Sequence, residues 1–259
     1  MKVNRWTTGR RCVQILMLLL LATPAFGWTF FEGNLGAAAI VGLQLSDPLA
    51  ALQILLLTGT LTATMLSGTA IVLVFYALLG GRVFCGWVCP VHLITDLVDL
   101  LPWPKRLSSW SLEWKTTALI VTVIMTVILG IPVFETVSPI GITARALTFG
   151  VSSSLIIIVL IVIAELVLVR RVWCRSLCPL GGFYCQLGRF SPLVVAYDTA
   201  KCTHCGECQR VCFVPEVLAP SLKSQRNMVH SGECTRCGAC VGICPEKALD
   251  FALRNPFER

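Results

Sequence analysis

The sequence predicts an all-α polytopic membrane domain, four transmembrane helices arranged as a duplicated helical hairpin, followed by a small α+β cysteine-rich domain. Three observations carry this. The 259 residues are 56% hydrophobic and only 14% charged, with a mean hydropathy of +0.79, whereas a soluble domain averages about 25% charged residues. Four long apolar runs alternate with charged segments. Eight of the 14 cysteines crowd between Cys202 and Cys244. The expected division is 1–196 for the membrane domain and 197–259 for the cysteine-rich one.

Residues 1–11 carry Lys2, Arg5, Arg10 and Arg11 and no acid, and an apolar run follows from Cys12 to Trp28. It reads as an uncleaved first span. Thr23-Pro24-Ala25 as a signal-peptide cleavage site, or Arg10-Arg11 as a twin-arginine signal, are the alternatives. Residues 49–81 contain no charge and exceed the roughly 20 residues one span needs. The reading is a short interfacial helix over 49–58 and a second span over 60–80. The third span is expected over Thr116–Phe134, bent at Pro132, and the fourth over Ser153–Val169.

The net charge of +7 lies in the membrane part, which holds 13 basic and seven acidic residues, against eight and seven from Tyr197 onward. Twelve of those 13 basic residues fall in 1–11, 82–115 and 170–189, and the opposite loops hold only Arg145. The positive-inside rule then places both termini and the cysteine-rich domain in the cytoplasm. This bias explains the charge better than nucleic-acid binding, and no nucleic-acid partner is expected. Glu165 is the one ionisable residue inside an expected span. Such residues are costly, so it is a candidate proton-handling residue; the alternative is a side chain that reaches along the helix towards Arg170. His92 is a second catalytic candidate, against the plainer reading of a surface histidine.

A motif recurs at an offset of 89 residues. Arg82-Val83-Phe84-Cys85-Gly86-Trp87-Val88-Cys89-Pro90 closes the second expected span, and Arg171-Val172-Trp173-Cys174-Arg175-Ser176-Leu177-Cys178-Pro179 closes the fourth. In each, the proline biases the cysteine before it out of the helical region and can itself start a new helix. The segment after Pro90 is amphipathic enough to lie along an interface. Cys85, Cys89, Cys174 and Cys178 are candidates for one further redox site, an iron–sulfur cluster or another metal, with Arg82 and Arg171 stabilising the anionic ligands. The other reading is four small apolar residues at helix ends. Cys12 and Cys185 read as structural.

Residues 202–245 read C-T-H-C-G-E-C-Q-R-V-C, a gap of 21 residues, then C-T-R-C-G-A-C-V-G-I-C-P. The repeated C-x2-C-x2-C-x3-C is the ligation pattern of a bacterial-type two-cluster ferredoxin domain, in which three thiolates wrap one 4Fe–4S cluster and the fourth is exchanged between halves. Cluster one takes Cys202, Cys205, Cys208 and Cys244; cluster two takes Cys234, Cys237, Cys240 and Cys212. Paired C-x2-C units also bind zinc, but two zinc ions do not call for four cysteines per copy in this rhythm.

Four expected spans, two juxtamembrane C-x3-C-P motifs and a C-terminal two-cluster module resemble the NapH family, the membrane ferredoxin-type proteins of periplasmic nitrate reductase systems. The likeness covers nearly the whole chain. It implies a quinol dehydrogenase component of the bacterial inner membrane, with quinol as electron donor and NapG, a periplasmic iron–sulfur protein, as partner. It also implies an electron-transfer subunit and not the nitrate reductase itself, since no nitrate or molybdenum motif is present. NosR-type relatives carry a flavin domain before the membrane core, for which the 11 residues before the first expected span leave no room. CcoG-type relatives carry a β-domain after the ferredoxin module, and 15 residues follow Cys244. The alternative function is a metal-handling assembly or maturation factor, which copper binding by the C-x3-C-P thiols would mark.

Overall fold

The computed structural model describes residues 4–26, 31–34, 37–40, 43–99, 114–150, 154–167, 170–224, 227–229 and 231–254. Helix α1, Arg5–Ala22, is capped by Asn4, whose side chain accepts from the Thr7 N–H at 2.9 Å. A 3-10 turn, Thr23–Phe26, precedes three short antiparallel strands in the order β1 (Phe31–Asn34), β2 (Ala37–Ile40) and β3 (Leu43–Ser46).

The charge-free stretch becomes two helices. Asp47 caps α2, Pro48–Thr58, by accepting from the N–H groups of Leu49 and Ala50 at 3.2 and 3.3 Å. Gly59 ends it in the left-handed region, φ +71°, and α3 runs over Ala63–Leu79. After a π-helical turn, Phe84–Val88, come α4 (Pro90–Val98), α5 (Trp114–Leu129), α6 (Val133–Val137), α7 (Pro139–Phe149) and α8 (Leu155–Val167). A second π-helical turn, Trp173–Leu177, leads into α9, Pro179–Gly188. The remainder is β4 (Leu193–Tyr197), α10 (Glu207–Val211), a 3-10 turn (Pro215–Val217), α11 (Ala219–Ser224), β5 (Met228–Val229), α12 (Ala239–Ile243) and β6 (Leu249–Leu253). Its sheet is antiparallel, in the order β5-β4-β6.

The expectation of an all-α polytopic domain with four transmembrane helices is corrected here. Among the described residues no helix is long and apolar enough to cross a membrane. Helix α1 has 18 residues but carries Arg5, Arg10 and Arg11. Helices α3, α5 and α8 have 17, 16 and 13 residues. At about 1.5 Å per residue even 17 residues reach only about 25 Å, short of a hydrocarbon core of about 30 Å. The apolar runs are cut by local chemistry that hydropathy does not register. Gly59 ends α2, and Gly130, φ +67°, ends α5 two residues before Pro132. Among the described residues the chain is mostly helical with two small sheets, and without spans the positive-inside rule assigns no side. Lys2, Lys105 and Arg106, which entered that count, lie outside the described residues.

The chain divides into two compact units. The first comprises Met1–Val13, Phe75–Val88 and Tyr184–Arg259. Its sheet buries Val194, Val195, Tyr197, Val229 and Leu249, and Tyr76, Phe84 and Tyr184 pack ring on ring with centroids 5.2–5.6 Å apart. The second comprises Gln14–Val74 and Cys89–Phe183. It buries Leu21, Leu49, Phe134, Ile142 and Ile161, and a buried hydrogen bond of 2.7 Å from Gln53 to Thr126 ties α2 to α5. Helix α4 is amphipathic as expected, but its polar side points inward: His92, Thr95 and Asp96 are buried while Leu97 is 68% exposed.

Candidate iron–sulfur centres

Each cysteine-rich half is a loop running into a short helix. Gly206 and Gly238, following the second cysteine of each copy, are left-handed at φ +75° and +71° and start α10 and α12. The last cysteines, Cys212 and Cys244, stand just past those helices in extended conformation. Two separate recesses result. One, of about 230 Å³, is lined by Cys202, Cys205, Cys208 and Cys244 together with Tyr197 and Leu249. The other, tighter, is lined by Cys212, Cys234, Cys237 and Cys240 with Val195 and Phe213. In each recess, three thiols come from one half and the fourth from the other.

The electrostatics follow the same grouping. Burial pushes the Cys240 thiol well up, and the nearby sulfurs of Cys237, Cys212 and Cys234 push it further. Burial likewise raises Cys212, with Cys237 and Cys234 adding to it. Cys208 is raised by burial and by Cys202, Cys205 and Cys244. Four neighbouring thiolates repel one another, and only a multivalent cation in their midst makes that ligand set stable. Among the described residues, no three His, Cys, Asp or Glu side chains converge as a single metal ion requires. The donor set is the soft one that a cube of iron and sulfide takes.

The surroundings of the two recesses differ. Thr203, His204, Cys205 and Gly206 are exposed. The second recess is covered: Cys237 and Cys240 are buried, and a Cβ on Gly238 would meet the Trp6 ring at 2.6 Å. Trp6 packs edge-on against Trp87 and Phe251 at 6.2 and 4.9 Å. The first π-helical turn lies on the same loop. Trp87 donates its indole N–H to the Arg236 carbonyl at 3.1 Å, and a Cβ on Gly86 would stand 2.9 Å from the Thr235 carbonyl oxygen.

Arg82, expected beside the C-x3-C-P thiols, reaches the second recess. Fully buried, it donates to the Glu233 carbonyl and carboxylate at 2.8 and 2.6 Å and lies 5.8 Å from the centre of the Phe213 ring. Glu233 precedes Cys234 and Phe213 follows Cys212, so one guanidinium clamps both loops of the second recess. Cys185, read as structural, donates its thiol to the other Glu233 oxygen at 3.1 Å. The Glu233 network is what sequence reasoning missed; its signal was an acid directly before a ligand cysteine beside an arginine-bearing motif.

In the second unit Arg171 does something different. It donates to Asp99 at 2.8 Å, to Asp96, and meets His92 Nδ1 at 3.2 Å, while Arg170 grips Asp99 in a fork at 3.0–3.2 Å. Burial pushes the Asp99 carboxyl up, but Arg171 and Arg170 outweigh it and hold it down at about 2. Of the two catalytic candidates, His92 is fully buried in this network, and Glu165 is buried on α8, while Arg170 turns to Asp99. Cys12 is exposed, Cys89 is buried, and Cys85, Cys174 and Cys178 are partly buried.

Comparison with known proteins adds to this geometry. The family model for a 4Fe-4S binding domain matches residues 61–110 and 152–194, each stretch holding one C-x3-C-P motif. The model for a 4Fe-4S dicluster domain matches residues 194–245. The methylamine utilization ferredoxin-type protein MauN of Methylobacillus flagellatus is 39% identical over 87% of this chain and 82% of its own length. The ferredoxin-type protein NapH of Escherichia coli is 35% identical over 97% of this chain and 90% of its own. The putative electron transport protein YccM of Escherichia coli is 24% identical over 98% of this chain and 78% of its own. No solved structure matches.

Proposed function

Because the chain belongs to the family of ferredoxin-type proteins that includes NapH and MauN, we propose that it is the quinol-oxidising electron-transfer component of a bacterial respiratory chain. That it is a ferredoxin-type 4Fe–4S electron-transfer protein is the plain reading of both family models and these relatives. Quinol as donor, a NapG-like iron–sulfur protein as acceptor and nitrate reduction as the destination are the finer reading, supported by the likeness to NapH. The observation that carries it is the pair of recesses lined by Cys202, Cys205, Cys208 and Cys244 and by Cys212, Cys234, Cys237 and Cys240. Bound 4Fe–4S clusters supply one-electron storage at these two places.

The chain's own residues hold, shield and orient them. Arg82 and Glu233 fix the loops of the second site, Trp6 and Trp87 cover it, and the first stays open to a partner. The site of action is the surface of the bacterial inner membrane. Its support is apolar surface: Leu66, Ile71 and Val74 on α3, Ile124 and Ile128 on α5, and Val159 and Ile163 on α8 are all exposed, a density that calls for a lipid or protein cover. The thiols of Cys85, Cys89, Cys174 and Cys178 are further iron–sulfur ligands on this reading, supported by the family model that spans both motifs.

Anaerobic protein given a short-chain quinol should reduce its clusters, followed by electron paramagnetic resonance, and each chain should carry at least eight iron atoms. Protein with full iron that quinol leaves oxidised would overturn the donor. Iron at or below eight, unchanged in a variant with all four C-x3-C-P thiols replaced by serine, would remove those four from the ligand set. A second reading has its own observation, the 39% identity to MauN: the electrons then belong to methylamine utilization. Which of the two growth conditions fails when the gene is deleted separates them.

A further inference from the structure

The two halves of the ferredoxin module differ in charge at three positions: Glu207 and Arg210, which pair with each other at 3.1 Å, stand where the second half has Ala239 and Gly242, and His204 stands where it has Arg236. Cys202-Thr203-His204-Cys205 becomes Cys234-Thr235-Arg236-Cys237. His204 and Arg236 share the left-handed backbone, φ +54° and +48°, so the loops are locally alike. Their side chains are not. His204 is exposed, whereas Arg236 is 4% exposed. Its Nε donates to the Leu193 carbonyl at 2.7 Å, Nη1 to the carbonyls of Cys234 at 3.0 Å and of Gly80, and Nη2 to the Gly188 carbonyl at 3.2 Å.

Every one of these acceptors is a backbone carbonyl. Carbonyl dipoles satisfy the N–H groups of a guanidinium without cancelling its charge. Arg82, the other buried cation near this loop, is paired with the Glu233 carboxylate at 2.6 Å. Reduction adds a negative charge to a cluster. A buried cation stabilises that charge several times more strongly than one in water, and local charge is among the levers that set cluster potentials.

We infer that Arg236 sets the two clusters apart in reduction potential: the one held by Cys212, Cys234, Cys237 and Cys240 is the higher, and the one on the exposed Cys202–Cys208 loop is the lower. The inference rests on the two-cluster reading above. Arg236 is a positioning and tuning residue and touches no substrate. Electrons arriving at the pair settle on the covered cluster, and the exposed one is the energetic step before a partner.

The test is a redox titration of the anaerobically purified full chain, followed by electron paramagnetic resonance, in wild type and three variants. Cys244→Ala, which removes a ligand of the first cluster, identifies which signal belongs to the second. Two midpoints are expected, the higher one surviving in Cys244→Ala. Arg236→Gln should lower that midpoint so that the reduced-to-oxidised ratio at fixed potential falls at least tenfold, which is about 59 mV for one electron. Arg236→Lys, which keeps the charge and loses the fork, should retain most of it, and neither should move the first midpoint.

Equal shifts in the Gln and Lys variants would show that charge is not the cause and overturn the inference. So would a second cluster that proves the lower of the two in otherwise wild-type protein, a result that stands even where Arg236→Gln fails to assemble. Iron below eight atoms per chain in wild type fails the two-cluster reading instead.

Discussion

In the first R-V-aromatic-C-x3-C-P motif Arg82 lies against Glu233 and Phe213, on the ferredoxin module; in the second, Arg171, at the same place in the repeat, lies against Asp99, Asp96 and His92. The backbones match from the π-helical turn onward, although Arg171 is left-handed at φ +59° and Arg82 is not. Each motif makes a five-residue π-helical turn, each second cysteine is extended (φ −64°, ψ 122° at Cys89; φ −73°, ψ 114° at Cys178), and each proline opens a helix. Duplication therefore preserved the local structure while the partner of the arginine diverged. The arginine of the first copy holds a cofactor loop of the same unit, and that of the second locks a buried ion cluster between α4 and the segment after α8. Position 86 shows the same divergence: Gly86 leaves room for Thr235, and its counterpart, Arg175, is a buried arginine.

The sharpest break comes from the arginines. Arg171→Met takes the guanidinium from buried Asp96 and leaves Asp99 to Arg170, and should cost about 3–5 kcal/mol of unfolding free energy, the range for breaking a buried ion pair. Arg82→Met leaves Glu233 with the Cys185 thiol and some solvent contact, so about 1–3 kcal/mol is expected, with iron lost from the second recess before the first. Denaturant unfolding with iron analysis checks both; equal losses would mean that the two arginines do the same job. Gly86→Ala should disturb the second cluster site at a cost of about 1–3 kcal/mol, as overpacking does, because its new methyl meets the Thr235 carbonyl at 2.9 Å. An unchanged spectrum and stability would show that the turn does not press on that loop.

The smallest effect is on pH. Asp99 binds a proton less readily folded than unfolded, so acid favours unfolding. Its contribution is complete above the ordinary value of 3.8 and lost as the pH falls through about 2. Asp99→Asn should lower stability by about 1–2 kcal/mol at neutral pH, and the gap to wild type should close between pH 4 and pH 2. A gap that persists at pH 2 would mean that shape and not charge holds Asp99.

Much of the site was legible. Cysteine spacing pointed to the grouping that lines each recess, and Pro90 and Pro179 were read as helix starts, which they are. Asp47 and Gly59, which bound α2, were equally available in the sequence. The spans were misread because hydropathy sums apolar residues without asking where the backbone turns: Gly130 ends α5 inside the expected third span, whereas the end of a short helix near Gly59 was read correctly. The strand β2, Ala37–Ile40, has no alternation of apolar and polar residues to announce it. Arg236 escaped notice because burial, not sequence, separates it from His204.

The x3 spacing of the repeated motif has a geometric consequence. The Cys178 N–H donates five residues back, to the Trp173 carbonyl at 2.9 Å, closing a ring one residue wider than an α-turn. Such a bulge is an α-turn with a residue added. The gap between Cys174 and Cys178 therefore measures an insertion rather than one helical face. Deleting a single residue from either turn would restore an ordinary helix and swing the second thiol about 100° around its axis, leaving the composition of the motif almost intact and its aim lost.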